Sequence, residues 1–530
     1  LLAEARYYLR MARYFGEYVR TGPPLDPEDM LRSAAANRDR NFLGLVQHAV
    51  FENPRTPYYH LLRRAGCTFG DLEESVRREG LEASLERLRA EGVYLTHDEV
   101  KGATVRRGSD EIANDPAATA RPNTPGGMES ISSGSRSKGT ATLATNAYRR
   151  HREAYEMLAR KEFGVAGRAT AVLQAVLPAP GGLIATTGLH HSGQPAERWF
   201  AIGKSWREEL HYRAVTAFLA AEARLLGCHI PFPEYLPPNG FGRVVDWIVS
   251  VKRRGRLAFI RSGVSSATRV CGAAIERGQD ISGTLFSTTG EGITEARRSL
   301  FDAAGVTAYG RYVISEIGTI GASCRGVTGN SVHLFDDTAA IIVHRRPAPY
   351  VDAEVNALLL TTVHPEVTRV FLNADMEDGG TLQPARCDCT FSRLGYRTIV
   401  QDVQSFGKLT AHSMVLAGPR LLCILEEALP HRFGGAPGDY QLVEQEGREQ
   451  KELRLRVSPR LGAVDLAEVQ DFFITQIKAL YGGNVSQRVW RATGALQVLA
   501  GEPHRTRTGK VHPIHLATFA EHTDRSHQGA

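Results

Sequence analysis

The chain has 530 residues, of which 42% are hydrophobic and 23% charged; that length gives about three structural units and, with this composition, excludes both a small disulfide scaffold and a globally disordered polymer. Sixty-four Lys and Arg against fifty-eight Asp and Glu leave a net charge of +6, too thin to draw a nucleic acid by itself. The one dense basic run, at 251–256, reads as a solvated face, so no nucleic-acid partner is expected.

The first twenty residues carry Glu4, Arg6, Arg10 and Arg13 inside an apolar pattern, which suits an amphipathic helix and not the apolar segment of a signal peptide. Helical spacing continues through Phe42, Leu45, Val46, Val50, Leu61 and Leu62, making residues 1–105 a helical opening region. Residues 105–130 are rich in Pro, Gly, Asn and Ser and read as a loop. From about 140 to 320, helical patterns such as TNAYRRHREAYEMLARKEFG alternate with short apolar strands such as TAVLQAVL, GRLAFIR and GTLFSTTG. That rhythm predicts an α/β core with a largely parallel sheet. The uncharged stretch 169–196 is interrupted by Pro178, Pro180, Gly181 and Gly182; it reads as a buried strand, loop and strand, and no membrane partner is expected. Strands dominate 330–405, and after about Lys408 two helices, a strand pair and a late strand predict a compact α+β unit.

Seven scattered cysteines, Cys67, Cys228, Cys271, Cys324, Cys387, Cys389 and Cys423, suit a reducing, cytoplasmic compartment. Cys387-Asp-Cys389 converges two thiolates on one ion, favouring zinc. Cys324 and His333 are the best candidates to complete a structural Cys3His site, the alternative being a small buried hydrophobe and a surface strand residue.

The segment Ile131-Ser-Ser-Gly-Ser-Arg-Ser-Lys-Gly-Thr140 packs hydroxyls, glycines and cations into a form that can cradle phosphate, although a Ser/Gly linker has the same composition. It is not a Walker A loop, because Thr140 stands where the Lys is required. Downstream, in order, lie Phe286-Ser-Thr-Thr-Gly-Glu291, Tyr312-Val-Ile-Ser-Glu316, Asn373-Ala-Asp375 and His504-Arg-Thr-Arg-Thr-Gly-Lys510. The series resembles the ordered core motifs of the acyl-adenylate-forming superfamily, and within it the phenylacetate-CoA ligases and acyl-protein synthetases.

The resemblance implies an α/β fold with a large N-terminal adenylation lobe at 1–408 and a small mobile C-terminal α+β lid at 409–530, hinged near Lys408. It implies that Ser132, Ser133, Gly134, Ser135 and Lys138 hold the ATP phosphates, that Thr289, Gly290 and Glu291 line the adenine, and that Tyr312 stacks near it. Ser315 would contact the α-phosphate, Glu316 would hold Mg2+, Asp375 would take the ribose hydroxyls, and Lys408 would grip ribose or phosphate. Lys510 would be the decisive catalytic group, its charge offsetting that of the transition state. His190, His191, Val313 and Gly318 would border the acid pocket. Val313 replaces the family's usual glycine, which narrows that pocket, and Lys408 replaces an arginine whose bidentate fork a lysine cannot reproduce.

The implied reaction is ATP-dependent activation of an aryl or other small carboxylic acid as acyl-AMP, with release of pyrophosphate. Transfer to a thiol follows, with coenzyme A as the co-substrate. Transfer to an acceptor protein's thiol or to an amine is the alternative, as is a catalytically degenerate ligand-binding member. The reading admits a homodimer.

Overall fold

A computed structural model describes residues 2–131, 141–202, 210–237, 240–327, 329–347, 354–405, 419–446, 451–477, 496–506 and 509–517. The chain opens in helices, Leu2–Thr21, Pro27–Ala36, Arg38–Val46, Pro57–Arg64, Phe69–Glu79 and Leu81–Ala90, as the apolar spacing predicts. Their starts are written locally: Asp26 caps the helix that Pro27 begins, and Thr68 and Asp71 form a reciprocal capping box. Residues 105–130 are less irregular than their composition suggests. Val105–Arg107 pairs with Asp110–Ile112, and Gly127–Ile131 pairs antiparallel with Ala141–Thr145 across the glycine-rich segment.

One sheet of twelve strands organises the large lobe. Six strands are mutually parallel, in the spatial order Pro233–Leu236, Arg198–Ile202, Ala169–Leu173, Ala258–Gly263, Leu285–Thr289 and Thr307–Ile314. The remaining six, from Gly318–Ala322 outward, are antiparallel. Thr307–Ile314 is the seam, parallel to one neighbour and antiparallel to the other.

Alternation along the strands sends successive side chains to opposite faces. On one face Ala171, Phe200, Ile260 and Phe286 pack against the helices Gly242–Arg253 and Val264–Glu276. On the other, Val172, Trp199, Phe259, Leu285 and Tyr309 pack beneath the helices Asn146–Glu162 and Gly181–His191. Helices on both faces are what a parallel sheet requires. The opening helices cover the antiparallel half, where Phe42, Leu61, Leu85 and Leu88 join Ile341, Leu359 and Val400 in one core.

One expectation is overturned here. The second element of the uncharged stretch 169–196 is the helix Gly181–His191, not a strand. Its residues from Gly182 to Leu189 are buried with the single exception of Ile184, so no polar face betrays a helical period. Gly182 lets it approach the sheet, since a Cβ there would lie 2.7 Å from the Trp199 indole nitrogen.

From Pro419 a second unit has its own core of Leu421, Leu425, Tyr440, Leu455, Phe473 and Leu496. A four-stranded sheet, in the order Leu496–Ala500, Lys451–Val457, Tyr440–Glu446, Ile514–Ala517, packs against the helix Leu466–Ile477. The hinge expected near Lys408 lies outside the described residues. Among those described, no helix is long and apolar enough to cross a membrane.

Candidate active site

In open α/β sheets, ligands bind beyond the carboxyl ends of the parallel strands. Here those ends are aligned by register: Gly263 pairs with Thr289, and Thr289 with Arg311. The expected Thr289-Gly290-Glu291 and Tyr312-Val-Ile-Ser-Glu316 segments therefore emerge side by side.

The small lobe reaches this edge. Ser265, at the start of the helix Val264–Glu276, donates its hydroxyl proton to Glu291 and accepts on Oγ from the Val511 amide at 3.2 Å. The turn before Val511 is closed by the Gly509 amide on the Thr506 carbonyl and by the Lys510 amide on Thr506 Oγ1, at 3.1 Å. Lys510 is thereby laid over Gly290, where a Cβ would come within 2.6 Å of Nζ. Gly290 has φ +91°, so both its backbone and its neighbour demand a glycine.

Glu291 is nearly buried. The Ser265 amide donates to it at 2.9 Å, and Arg297 and His512 lie 3.7 and 3.8 Å away. Burial pushes its carboxyl up, but Arg297, His512, the Ser265 hydroxyl and Lys510 outweigh that and hold it below the usual carboxylate range. Its Oε2 is thus taken up by Ser265 where the two lobes meet, its Oε1 has no hydrogen-bond partner, and Thr289 and the exposed Gly290 stay at the open edge.

On the seam strand, Tyr312 donates to Asp378 Oδ2 at 2.7 Å, and a bulge separates it from Val313. Ser315 is exposed; Glu316 accepts from Lys101 Nζ at 3.1 Å. Asp375 accepts from Arg346 at 2.6 Å on one oxygen and from the Glu377 amide at 2.8 Å on the other. Each oxygen keeps a second lone pair for a hydroxyl.

His191 is buried between Glu153, 3.2 Å away, and the Val19 carbonyl, 3.3 Å away. His190 is half-buried beside His229, and burial, with His191 and His229, lowers its pKa. The cavity beneath this helix is walled by Gly188 and Ile184, and by Thr319 next to Gly318, rather than by His190, His191 or Val313. Gly318, at φ +113°, lies against the Arg152 side chain. Ser132, Ser133, Gly134, Ser135, Lys138 and Lys408 lie outside the described residues.

The Cys/His set converges. Cys324, His333, Cys387 and Cys389 hold their ligand atoms within 4.8 Å of one another. Cys324 and Cys387 sulfurs are 3.7 Å apart, Cys387 and Cys389 sulfurs 3.8 Å, and His333 Nε2 lies 3.2 Å from both of the latter. Zinc–sulfur bonds of about 2.3 Å at tetrahedral angles set sulfurs roughly 3.8 Å apart, so the donor set fits zinc. His333 Nδ1 donates to the Tyr396 carbonyl at 2.9 Å, which turns Nε2 toward the thiols.

Motif reading missed Ser265, Lys101 and a set of buried arginines on the helix Asn146–Glu162. Ser265 had one signal, a Gly-Val-Ser-Ser run directly after a strand.

No protein-family model and no curated protein matches the chain. Solved structures do. A 2-hydroxyisobutyryl-CoA ligase, captured with its acyl-adenylate and CoA, aligns over 94% of this chain and 93% of its own at 16% identity and a TM-score of 0.46. The o-succinylbenzoate CoA synthetase of Bacillus subtilis aligns over 87% and 80% at 11% identity, TM-score 0.41. Fatty acyl-adenylate ligases from E. coli and L. pneumophila align over 79% and 71% at 11% identity, TM-score 0.36.

Proposed function

We propose that the chain is an acid–thiol ligase of the acyl-adenylate-forming kind. It activates a small carboxylic acid with ATP, releases pyrophosphate, and passes the acyl group to coenzyme A. The observation that carries the reading is Lys510, delivered by a separate lobe to Gly290 at the carboxyl edge of a parallel sheet, one residue beyond Thr289, which pairs with Arg311 of the strand Thr307–Ile314.

In this reading the substrate carboxylate attacks the α-phosphorus of ATP. Lys510 neutralises charge on the two approaching anions, Ser315 donates to the α-phosphate, Tyr312 flanks the adenine, and Asp375 accepts from the ribose hydroxyls. Ser132, Ser133, Gly134, Ser135 and Lys138 hold the phosphates that leave. Glu316 offers a hard oxygen donor for Mg2+, which when bound neutralises the phosphate oxygens. The small lobe, from 409 onward, then pivots and withdraws Lys510, which opens the edge to the thiol. Cys324, His333, Cys387 and Cys389 hold a structural zinc away from the chemistry. The reducing state of these thiols suits a cytoplasmic protein.

Acid-dependent exchange of labelled pyrophosphate into ATP tests the reading. Exchange with at least one acid, lost in Lys510→Ala, is the expected result; none across aryl, heteroaryl and aliphatic acids overturns it.

A further inference from the structure

The helix Asn146–Glu162 carries Arg149, Arg152, Glu153, Glu156 and Arg160 at intervals that place them on one stripe. A stripe of this kind ordinarily faces water, yet Arg149 is 5% exposed, Glu153 4%, Glu156 7% and Arg160 3%. They point into a cavity of about 40 Å3 between the helices and the sheet, lined also by Arg261, Thr319, Ile184 and Gly188. That is room for roughly three waters or one carboxylate.

The charges there do not balance. Arg261 and Arg311 share the Glu156 carboxylate, the first at 3.3 Å. Glu153 Oε2 is taken by His191 and by the Tyr18 hydroxyl, each at 3.2 Å, and its Oε1 has no hydrogen-bond partner. Arg149, Arg152 and Arg160 then have no carboxylate within ion-pair distance among the described residues. Their bonds run to the Met128 carbonyl, Thr319 Oγ1 and the Gly188 carbonyl at 3.3, 3.4 and 3.5 Å. Buried nitrogens of Arg149, Arg160, Arg261 and Arg311 have no hydrogen-bond partner. Burial, aided by Arg152, pushes the Arg149 pKa down to about 9. A dry guanidinium without an anion is costly, whereas a bound carboxylate would accept its paired N–H groups.

Arg261, which lines the cavity, stands two residues before Gly263 at the carboxyl end of its strand. Arg261, Ser287 and Tyr309 are register partners, as are Gly263, Thr289 and Arg311, so these rows share one sheet face. Thr289 stands one residue before the glycine beneath Lys510.

We propose that this cavity receives a second anionic group of the acid substrate, so that the chain activates a dicarboxylic acid, one carboxylate at Lys510 and the other among Arg149, Arg152 and Arg160. This rests on the ligase reading.

Calorimetric titration of the full chain, without ATP, with glutarate and phthalate and with their monomethyl esters tests the cavity alone; pyrophosphate exchange with the same acids tests it in turnover. The dianions should bind at least tenfold more tightly than the esters and should show a similar preference in kcat/KM. Arg149→Gln should cut that preference at least fivefold, and Arg149→Lys should restore part of it. The melting temperature of Arg149→Gln should not fall, because the change removes an unpaired buried charge. Equal binding of dianion and ester, a preference untouched by Arg149→Gln, or displacement of the dianion by pyrophosphate would overturn the proposal; the last outcome would assign the arginines to the nucleotide phosphates. Exchange with neutral acids only would overturn the cavity and leave the ligase standing. Dianion preference in titration without exchange would overturn the ligase and leave the cavity an anion site.

Discussion

Lys510 lies directly over Gly290, two residues 220 positions apart that belong to different lobes. Glycine is needed twice at that point, for its φ of +91° and for the space the lysine stem occupies. Gly290→Ala would meet a left-handed backbone cost of about 1–2 kcal/mol and would displace the ammonium. Pyrophosphate exchange should fall by about tenfold or more in this variant, and by two to three orders of magnitude in Lys510→Ala. A Gly290→Ala enzyme with unchanged exchange would show that Lys510 works elsewhere.

Ser265 joins the lobes through one hydroxyl that serves Glu291 and Val511 together. Ser265→Ala removes these bonds, a loss of about 1–2 kcal/mol, specific to the arrangement in which Lys510 is delivered. Exchange should drop roughly tenfold, while transfer to coenzyme A from a supplied acyl-adenylate should fall far less. Equal losses in both half-reactions would argue against a docking role.

Acid should reveal the Glu156 pair. Burial raises the Glu156 carboxyl, but Arg261, Arg311 and Arg160 overcome this and bring it down from 4.5 to about 2. A carboxylate whose folded pKa is depressed stabilises the fold above its unfolded pKa and ceases to do so as pH falls through the folded value. The window therefore runs from about pH 4.5 down to about 2, and the difference amounts to about 3 kcal/mol. Denaturant midpoints taken across that window should fall in the native chain, and Glu156→Gln should be weaker at neutral pH and flatter in acid. Parallel curves for the two proteins would dismiss the pair.

Zinc should copurify at about one equivalent per chain, read by elemental analysis. Cys389→Ser should lose the metal and lower the melting temperature, because a closed site contributes binding energy to folding. Its effect on exchange should come through the seam hairpin, since Cys324 follows the strand Gly318–Ala322 and Cys387 precedes the strand Thr398–Ser405. Less than about half an equivalent in fresh protein would exclude the site.

The parts of this molecule legible from residue order are those written in local chemistry. Strand ends bearing Thr289 and Tyr312, the pair Cys387 and Cys389, and even the distant partners Cys324 and His333 announce themselves by type and spacing. What stayed hidden depends on neighbours far along the chain. The helix Gly181–His191 gives no period because the sheet and other helices surround it. The arginines of Asn146–Glu162 look like a solvated stripe, and only the fold turns that stripe inward. Glu291 looks like a ligand contact until Ser265, Arg297 and His512 surround it.

The seam strand separates two sets of contacts by parity. Arg311 binds Glu156 in the wall of the arginine-lined cavity, while the next residue, Tyr312, reaches across the opposite face to Asp378. Alternate residues of one strand thus belong to different sets of contacts. Substitutions can therefore rewrite one face of the strand and leave the other untouched, whereas a single-residue deletion in Thr307–Ile314 would exchange the two faces at once and forfeit both sets of contacts.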